Sequence, residues 1–117
     1  MTNSLLTNLK KYFGYDSFRS TQEEIINSVI AGRDNFVLMP TGGGKSLCFQ
    51  LPALELPGLT LVISPLIALM KDQVDALQAN GVAAEFINSS LAPADINRIQ
   101  AAAKSGKLKI LYIAPER

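Results

Sequence analysis

Met39-Pro40-Thr41-Gly42-Gly43-Gly44-Lys45-Ser46 is the stretch whose residue types and spacing can do chemistry. Successive glycines let a backbone turn tightly and bring its N–H groups against phosphate oxygens. The lysine beside them supplies a point charge for the β- and γ-phosphates of a nucleoside triphosphate, and the hydroxyl after it can ligate Mg²⁺. A phosphate loop reads G-x-x-x-x-G-K-[ST] between a strand and a helix, and Met39 stands where that general pattern has its first glycine. Thr41, Gly42, Gly43, Gly44, Lys45 and Ser46 are therefore candidate nucleotide-binding residues. Lys45 and Ser46 are the catalytic candidates, and Ser46 is the candidate Mg²⁺ ligand. The plain alternative is a Gly-rich strand-to-helix turn, in which three consecutive glycines would be wasteful.

Upstream lies Phe18-Arg19-Ser20-Thr21-Gln22. A glutamine amide has one acceptor and two donors, so Gln22 can pair with the N6 and N7 edge of adenine and reject guanine. Arg19 and Tyr15 can flank a base by stacking. Taken alone, the same residues read as an exposed polar helix start; ahead of a phosphate loop they read as a base-recognition cluster. Further on, Ser64 ends an apolar run and Pro65 suits the first position of a helix. Ser64 is then an N-cap, and such a helix start offers N–H donors to a phosphate. Lys71 and Asp72 read as a solvated helix face, and Cys48 as a small buried residue.

The elements that position these residues follow from periodicity. Leu5, Leu6, Leu9 and Phe13 predict one helix face that stops at Gly14. A second helix opens at Ser20 or Thr21 with a capping box, presents Ile25, Ile26, Val29 and Ile30, and stops at Gly32. Asn35–Met39 reads as a buried strand, the glycines as a turn, and a helix follows from about Lys45. Leu59–Ser64 is the next strand, and Leu66, Met70, Val74 and Leu77 stripe a long helix ending at Gly81. A strand over Ala83–Ile87, a helix over Pro93–Ser105 and a strand over Leu108–Ile113 complete the pattern. Strands alternating with helices predict a parallel sheet covered on both faces, an α/β fold with an N-terminal helical appendage.

The 117 residues suffice for one compact domain, and 48% hydrophobic with 18% charged residues excludes a disordered or low-complexity chain. Histidine is absent and Cys48 is the single cysteine, so neither a zinc site of thiolate and imidazole ligands nor Ser–His or Cys–His catalysis can be assembled. A formal charge of +1 leaves no bulk attraction for nucleic acid, so any such contact is local. The longest apolar stretch, Leu61–Met70, is broken by Ser64 and Pro65 and falls short of the ~20 residues that span a bilayer. The expectation is a soluble, intracellular protein.

Leu9…Phe13-Gly14…Phe18-Arg19-x-x-Gln22, the run Met39 to Ser46, Ser64-Pro65-Leu66…Met70-x-Asp72-Gln73, and Tyr112-Ile113-Ala114-Pro115-Glu116-Arg117 closely resemble, in order, the RecQ family of superfamily 2 DNA helicases. The resemblance implies a partial RecA-like domain. Residues 1–32 would be a helical appendage carrying the adenine-recognition motif of Tyr15, Arg19 and Gln22. Residues 33–117 would be the first part of the ATP-binding domain. It implies ATP and Mg²⁺ as cofactors, 3′-to-5′ translocation, and single-stranded or partly duplex DNA as partner, in DNA repair and recombination. Ser64, Pro65 and Leu66, with Pro115, Glu116 and Arg117, would touch single-stranded DNA. The family's Asp-Glu-x-His motif, its second RecA-like domain with an arginine finger, and its zinc-binding and winged-helix regions would lie beyond Arg117. The implied location is the cytoplasm, at the nucleoid, with no membrane partner; oligomeric state is left open. Two alternatives stand beside this reading. One is a superfamily 2 RNA helicase, whose fourth motif would usually end in Thr-Pro-Gly-Arg. The other is a remnant that binds ATP, DNA or neither without turnover.

Overall fold

The computed structural model describes residues 2–18, 22–35, 46–64, 67–88 and 91–114. The chain divides into two compact units, Met1–Pro57 and Gly58–Arg117. In the first, α1 (Thr2–Asn8) runs into a π-helical segment, Leu9–Phe13, and α2 (Gln22–Ile30) and α3 (Leu47–Glu55) follow. Leu5, Leu9, Ile26, Leu47 and Leu51 form the buried cluster, with Phe13, Phe18, Ile30 and Leu54 packed against it. Each side chain of this kind contributes about 1.5–3 kcal/mol when it leaves water. Leu6, expected on the buried face, is exposed. One residue on from Leu5 it sits about 100° around the helix, outside the stripe of i and i+4 positions that Leu5 and Leu9 occupy. Gly14 closes the π-helical segment in the left-handed conformation (φ +79°), where any side chain would be strained. Asn8 Nδ2 donates to Glu55 Oε1 at 2.9 Å and ties the end of α1 to the end of α3. The capping box at Ser20 and Thr21 and the strand and glycine turn from Phe36 to Gly44 lie outside the described residues.

Among its described residues, the second unit is a three-stranded parallel sheet with helices on both faces: β1 (Thr60–Ile63), α4 (Ile67–Ala79), β2 (Ala84–Ile87), α5 (Pro93–Lys104) and β3 (Ile110–Ile113). The strand order is β1-β3-β2, with Thr60, Ile110 and Ala84 in register. The chain therefore crosses outward past one strand position through α4 and returns to the middle through α5. Crossovers of one hand place two such helices on opposite faces, and the contacts agree. Tyr112 and its in-register neighbours Val62 and Phe86 share one face, where Tyr112 Oη donates to Gln73 Oε1 of α4 at 2.7 Å. Leu111 and Ile87 occupy the other face, where they cluster with Ile99 of α5 and with Leu108, and Arg98 pairs with Glu85 at 3.3 Å. That ion pair is largely exposed and worth ~1 kcal/mol at most.

The long stripe is present as expected: Met70, Val74 and Leu77 are buried, while Lys71 and Asp72 are exposed. Lys71 Nζ donates to Asp75 Oδ2 at 2.9 Å, and this bond holds the lysine pKa above its ordinary value. α5 packs over β2 and leaves the β1 half of its face open. Leu61 is 55% exposed and Ile63 69%.

Candidate nucleotide and DNA site

The helices that follow the two candidate nucleotide segments pack together. α2, whose first residue is Gln22, packs closely along α3, which follows the glycine run. Phe18 enters the same apolar cluster as Ile26 and Leu47, so the chain reaches Gln22 from an anchored position. Gln22 is only 4% exposed. No fully buried side-chain polar atom among the described residues lacks a hydrogen-bond partner, and Gln22 is not without a partner. Tyr15 is well exposed. Arg19, Thr41, Gly42, Gly43, Gly44 and Lys45 lie outside the described residues.

Ser46 is the described end of the glycine run. Its carbonyl accepts the first helical bonds of α3, from Gln50 N at 2.9 Å and Phe49 N at 3.2 Å. Its backbone is already helical, and its hydroxyl makes no capping hydrogen bond. A serine at a helix start ordinarily spends that oxygen on the N2 or N3 amide. Here the oxygen is not used so, which suits a hydroxyl that ligates a cation. Ser46 is thereby compatible with the Mg²⁺ role expected of it.

Cys48 follows in the first turn of α3. It is buried, and burial pushes its thiol pKa up, which keeps the sulfur protonated and unreactive. The folded pKa lies above the unfolded one. The thiol's contribution to stability is therefore complete below the ordinary thiol range and is lost as pH rises through the folded value. Native protein is expected to resist iodoacetamide at about pH 8 and to react only once denatured; rapid stoichiometric alkylation of the native chain would contradict this packing.

In the second unit, Ser64 and Ala114 stand just past the C-terminal ends of the neighbouring strands β1 and β3. Ser64 N donates to Ile113 O at 3.1 Å, and Ala114 N donates to Ile87 O at 3.1 Å. Segments far apart in sequence thus leave the sheet side by side at its C-terminal edge, the edge where open α/β sheets bind ligands. Pro65 and Leu66, and Pro115, Glu116 and Arg117, lie outside the described residues, as does the expected helix cap by Ser64. The pairing of Gln73 with Tyr112 was missed by sequence reasoning; nothing in the spacing of those two residues signals it.

Residues 19–117 match the DEAD/DEAH box helicase family. The chain belongs to that family. Among curated proteins it is 58% identical over 112 residues to the ATP-dependent DNA helicase RecQ of Haemophilus influenzae, covering 96% of this chain and 18% of that protein. It is 53% identical to the RecQ helicase of Bacillus subtilis, covering 93% of this chain and 19% of that one. To the RecQ-like DNA helicase blm-1 of Caenorhabditis elegans it is 44% identical, over 100% of this chain and 12% of the relative. The chain thus spans about a fifth or less of these relatives' length. The resemblance to RecQ read from the motifs holds over nearly the whole chain. For this helicase-family chain the partial RecA-like α/β fold expected from the sequence agrees with the parallel sheet and its two flanking helices. Among the described residues no helix is long and apolar enough to cross a membrane.

Proposed function

We propose that this chain is the ATP-binding portion of a RecQ-type helicase that unwinds DNA in the 3′-to-5′ direction, in repair and recombination, at the bacterial nucleoid. The observation that carries the DNA part is the bond from Ser64 N to Ile113 O. It holds Ser64, the first residue of one candidate DNA segment, beside the end of β3, which the other candidate segment, Pro115-Glu116-Arg117, follows in sequence, and this supports one single strand contacting both. The ATP part is supported by the glycine run leading into α3, by a Ser46 hydroxyl that makes no helix-capping bond and by the packing of α2 on α3. Residues 1–32 act as the adenine-recognition appendage, with Tyr15 and Arg19 stacking on the base and Gln22 reading its edge. Residues 33–117 contribute the phosphate cradle of Thr41 to Ser46 and the DNA-contacting edge. Mg²⁺, when bound, neutralises phosphate charge; Lys45 holds the phosphates from its side and Ser46 orients the ion. The partner is single-stranded or partly duplex DNA.

The test is made in the intact helicase that carries this sequence. Gln22→Ala is expected to weaken ATP about tenfold while leaving GTP unchanged, because only adenine gains from the amide, at ~1–3 kcal/mol per bidentate pair. Equal losses for both nucleotides would remove the adenine role. Arg117→Ala is expected to raise the DNA concentration needed for half-maximal ATPase stimulation without altering the KM for ATP. No change there would remove the DNA role of that segment.

A further inference from the structure

We infer that Gln73 and Tyr112 form a positioning pair that aligns the two DNA-contacting segments with one another; this rests on the DNA reading above. Tyr112 sits on the middle strand β3, is 1% exposed, and ends two residues before Ala114. Its hydroxyl lies on the face covered by α4 and donates to Gln73 Oε1 at 2.7 Å, across 39 residues of sequence. Gln73 lies in the second turn of α4, the helix that begins at Ile67, just beyond Ser64-Pro65-Leu66. The pair therefore connects the helix that follows one segment in sequence to the strand that precedes the other.

Apolar packing by Met70, Val74 and Leu77 holds α4 onto the sheet. The hydrophobic effect behind it is non-directional. Directional bonds add a preferred orientation to that packing. Gln78 Nε2 donates to Ala84 O at 2.8 Å near the far end of α4, and the Gln73–Tyr112 bond does the same nearer the DNA end. With both in place, the start of α4 has one azimuth and one height relative to Ala114. Ser64 N to Ile113 O then fixes the spacing of the backbones, while Gln73 and Tyr112 fix the direction in which α4 points its first amides. Neither side chain touches DNA in this scheme. Their effect is on the geometry of the groups that do.

The pair is tested by a double-mutant cycle in the intact helicase, with single-stranded DNA of about ten thymidines as the probe. Tyr112→Phe keeps the ring that fills the core and removes only the donor; Gln73→Met keeps the volume and removes the acceptor. Each is expected to weaken DNA binding, and to raise the DNA needed for half-maximal ATPase stimulation, about five- to tenfold, the size of one lost hydrogen bond. The double variant should be no worse than either single one. The KM for ATP should not move, a split that a general loss of stability would not produce. The inference is overturned if DNA affinity is unchanged in both single variants, if the two effects simply add, or if DNA and ATP parameters fall together with the melting temperature. A wild-type enzyme whose DNA affinity is insensitive to Arg117→Ala and to Ser64→Ala would instead sink the DNA reading, and this pair with it.

Discussion

Lys45→Ala is expected to bring ATP hydrolysis by the intact helicase to background. Phosphoryl transfer leaves little covalent work to the protein; it depends on positioning and on stabilising charge that spreads over phosphate oxygens. Lys45 is the one full positive charge in the run from Met39 to Ser46. The neighbouring backbone amides carry only partial charges. Removing one preorganised donor of this kind typically costs roughly 10²–10³ in rate, and a charged donor stands at the upper end. Lys45→Arg should not restore activity, because a planar fork cannot take the place of a compact ammonium in a tight glycine cradle. Ser46→Ala should also lose turnover, through the metal rather than the phosphate, and excess Mg²⁺ should recover part of it. The measurement is steady-state ATPase with saturating single-stranded DNA, checked by far-ultraviolet dichroism for an intact fold. Lys45→Ala retaining a tenth or more of wild-type turnover would remove the phosphate-loop assignment.

The parts of the molecule that were legible in the sequence are those governed by local periodicity. The stripe Met70, Val74 and Leu77 marks α4 because a three-to-four repeat buries one side of a helix and little else. Gly14 and Gly32 mark ends because both adopt positive φ, at +79° and +87°. Leu6 was misplaced for the same reason in reverse: a leucine beside a true core position looks identical in composition, and only the helix phase distinguishes it. Strand order is a different kind of information. That β3 inserts between β1 and β2 depends on which edges meet in space, and no residue of Ile110–Ile113 declares it. The bond from Ser64 to Ile113 and the one from Tyr112 to Gln73 both follow from that insertion, so they came into view only with the fold. The candidate nucleotide cluster is read from the sequence for the opposite reason. Its chemistry requires particular residue types in a fixed short order, which leaves a mark in the sequence whatever the rest of the chain does.

The 117-residue chain by itself is expected neither to hydrolyse ATP at a useful rate nor to unwind DNA, and to associate with itself. On the proposed reading Lys45 and Ser46 supply only a cradle; the resemblance puts the metal-holding Asp, the water-orienting Glu and an arginine finger beyond Arg117, and such a finger alone is typically worth roughly 10³–10⁵ in rate. Unwinding further requires two domains that close and reopen around the nucleotide, and the resemblance puts the second beyond Arg117. Association follows from β1. Thr60 N donates to Lys109 O and Ser64 N to Ile113 O, so alternate residues of β1 face β3, and Leu61 and Ile63 turn their backbone groups toward the outer edge. Their side chains are exposed on a face that parallel sheets normally keep covered. β2, the other edge among the described strands, carries Glu85 in its ion pair with Arg98; β1 reads Thr-Leu-Val-Ile with no charge at all, the composition of a strand that pairs with another chain. A net charge of +1 adds little repulsion. Sedimentation of the purified chain should therefore show concentration-dependent oligomers. Ile63→Lys, which places a charge on the open face without touching the buried cluster, should shift the distribution toward monomer. A monomeric wild-type chain that melts cooperatively and turns over ATP in response to DNA, with the activity lost in Lys45→Ala, would overturn this expectation.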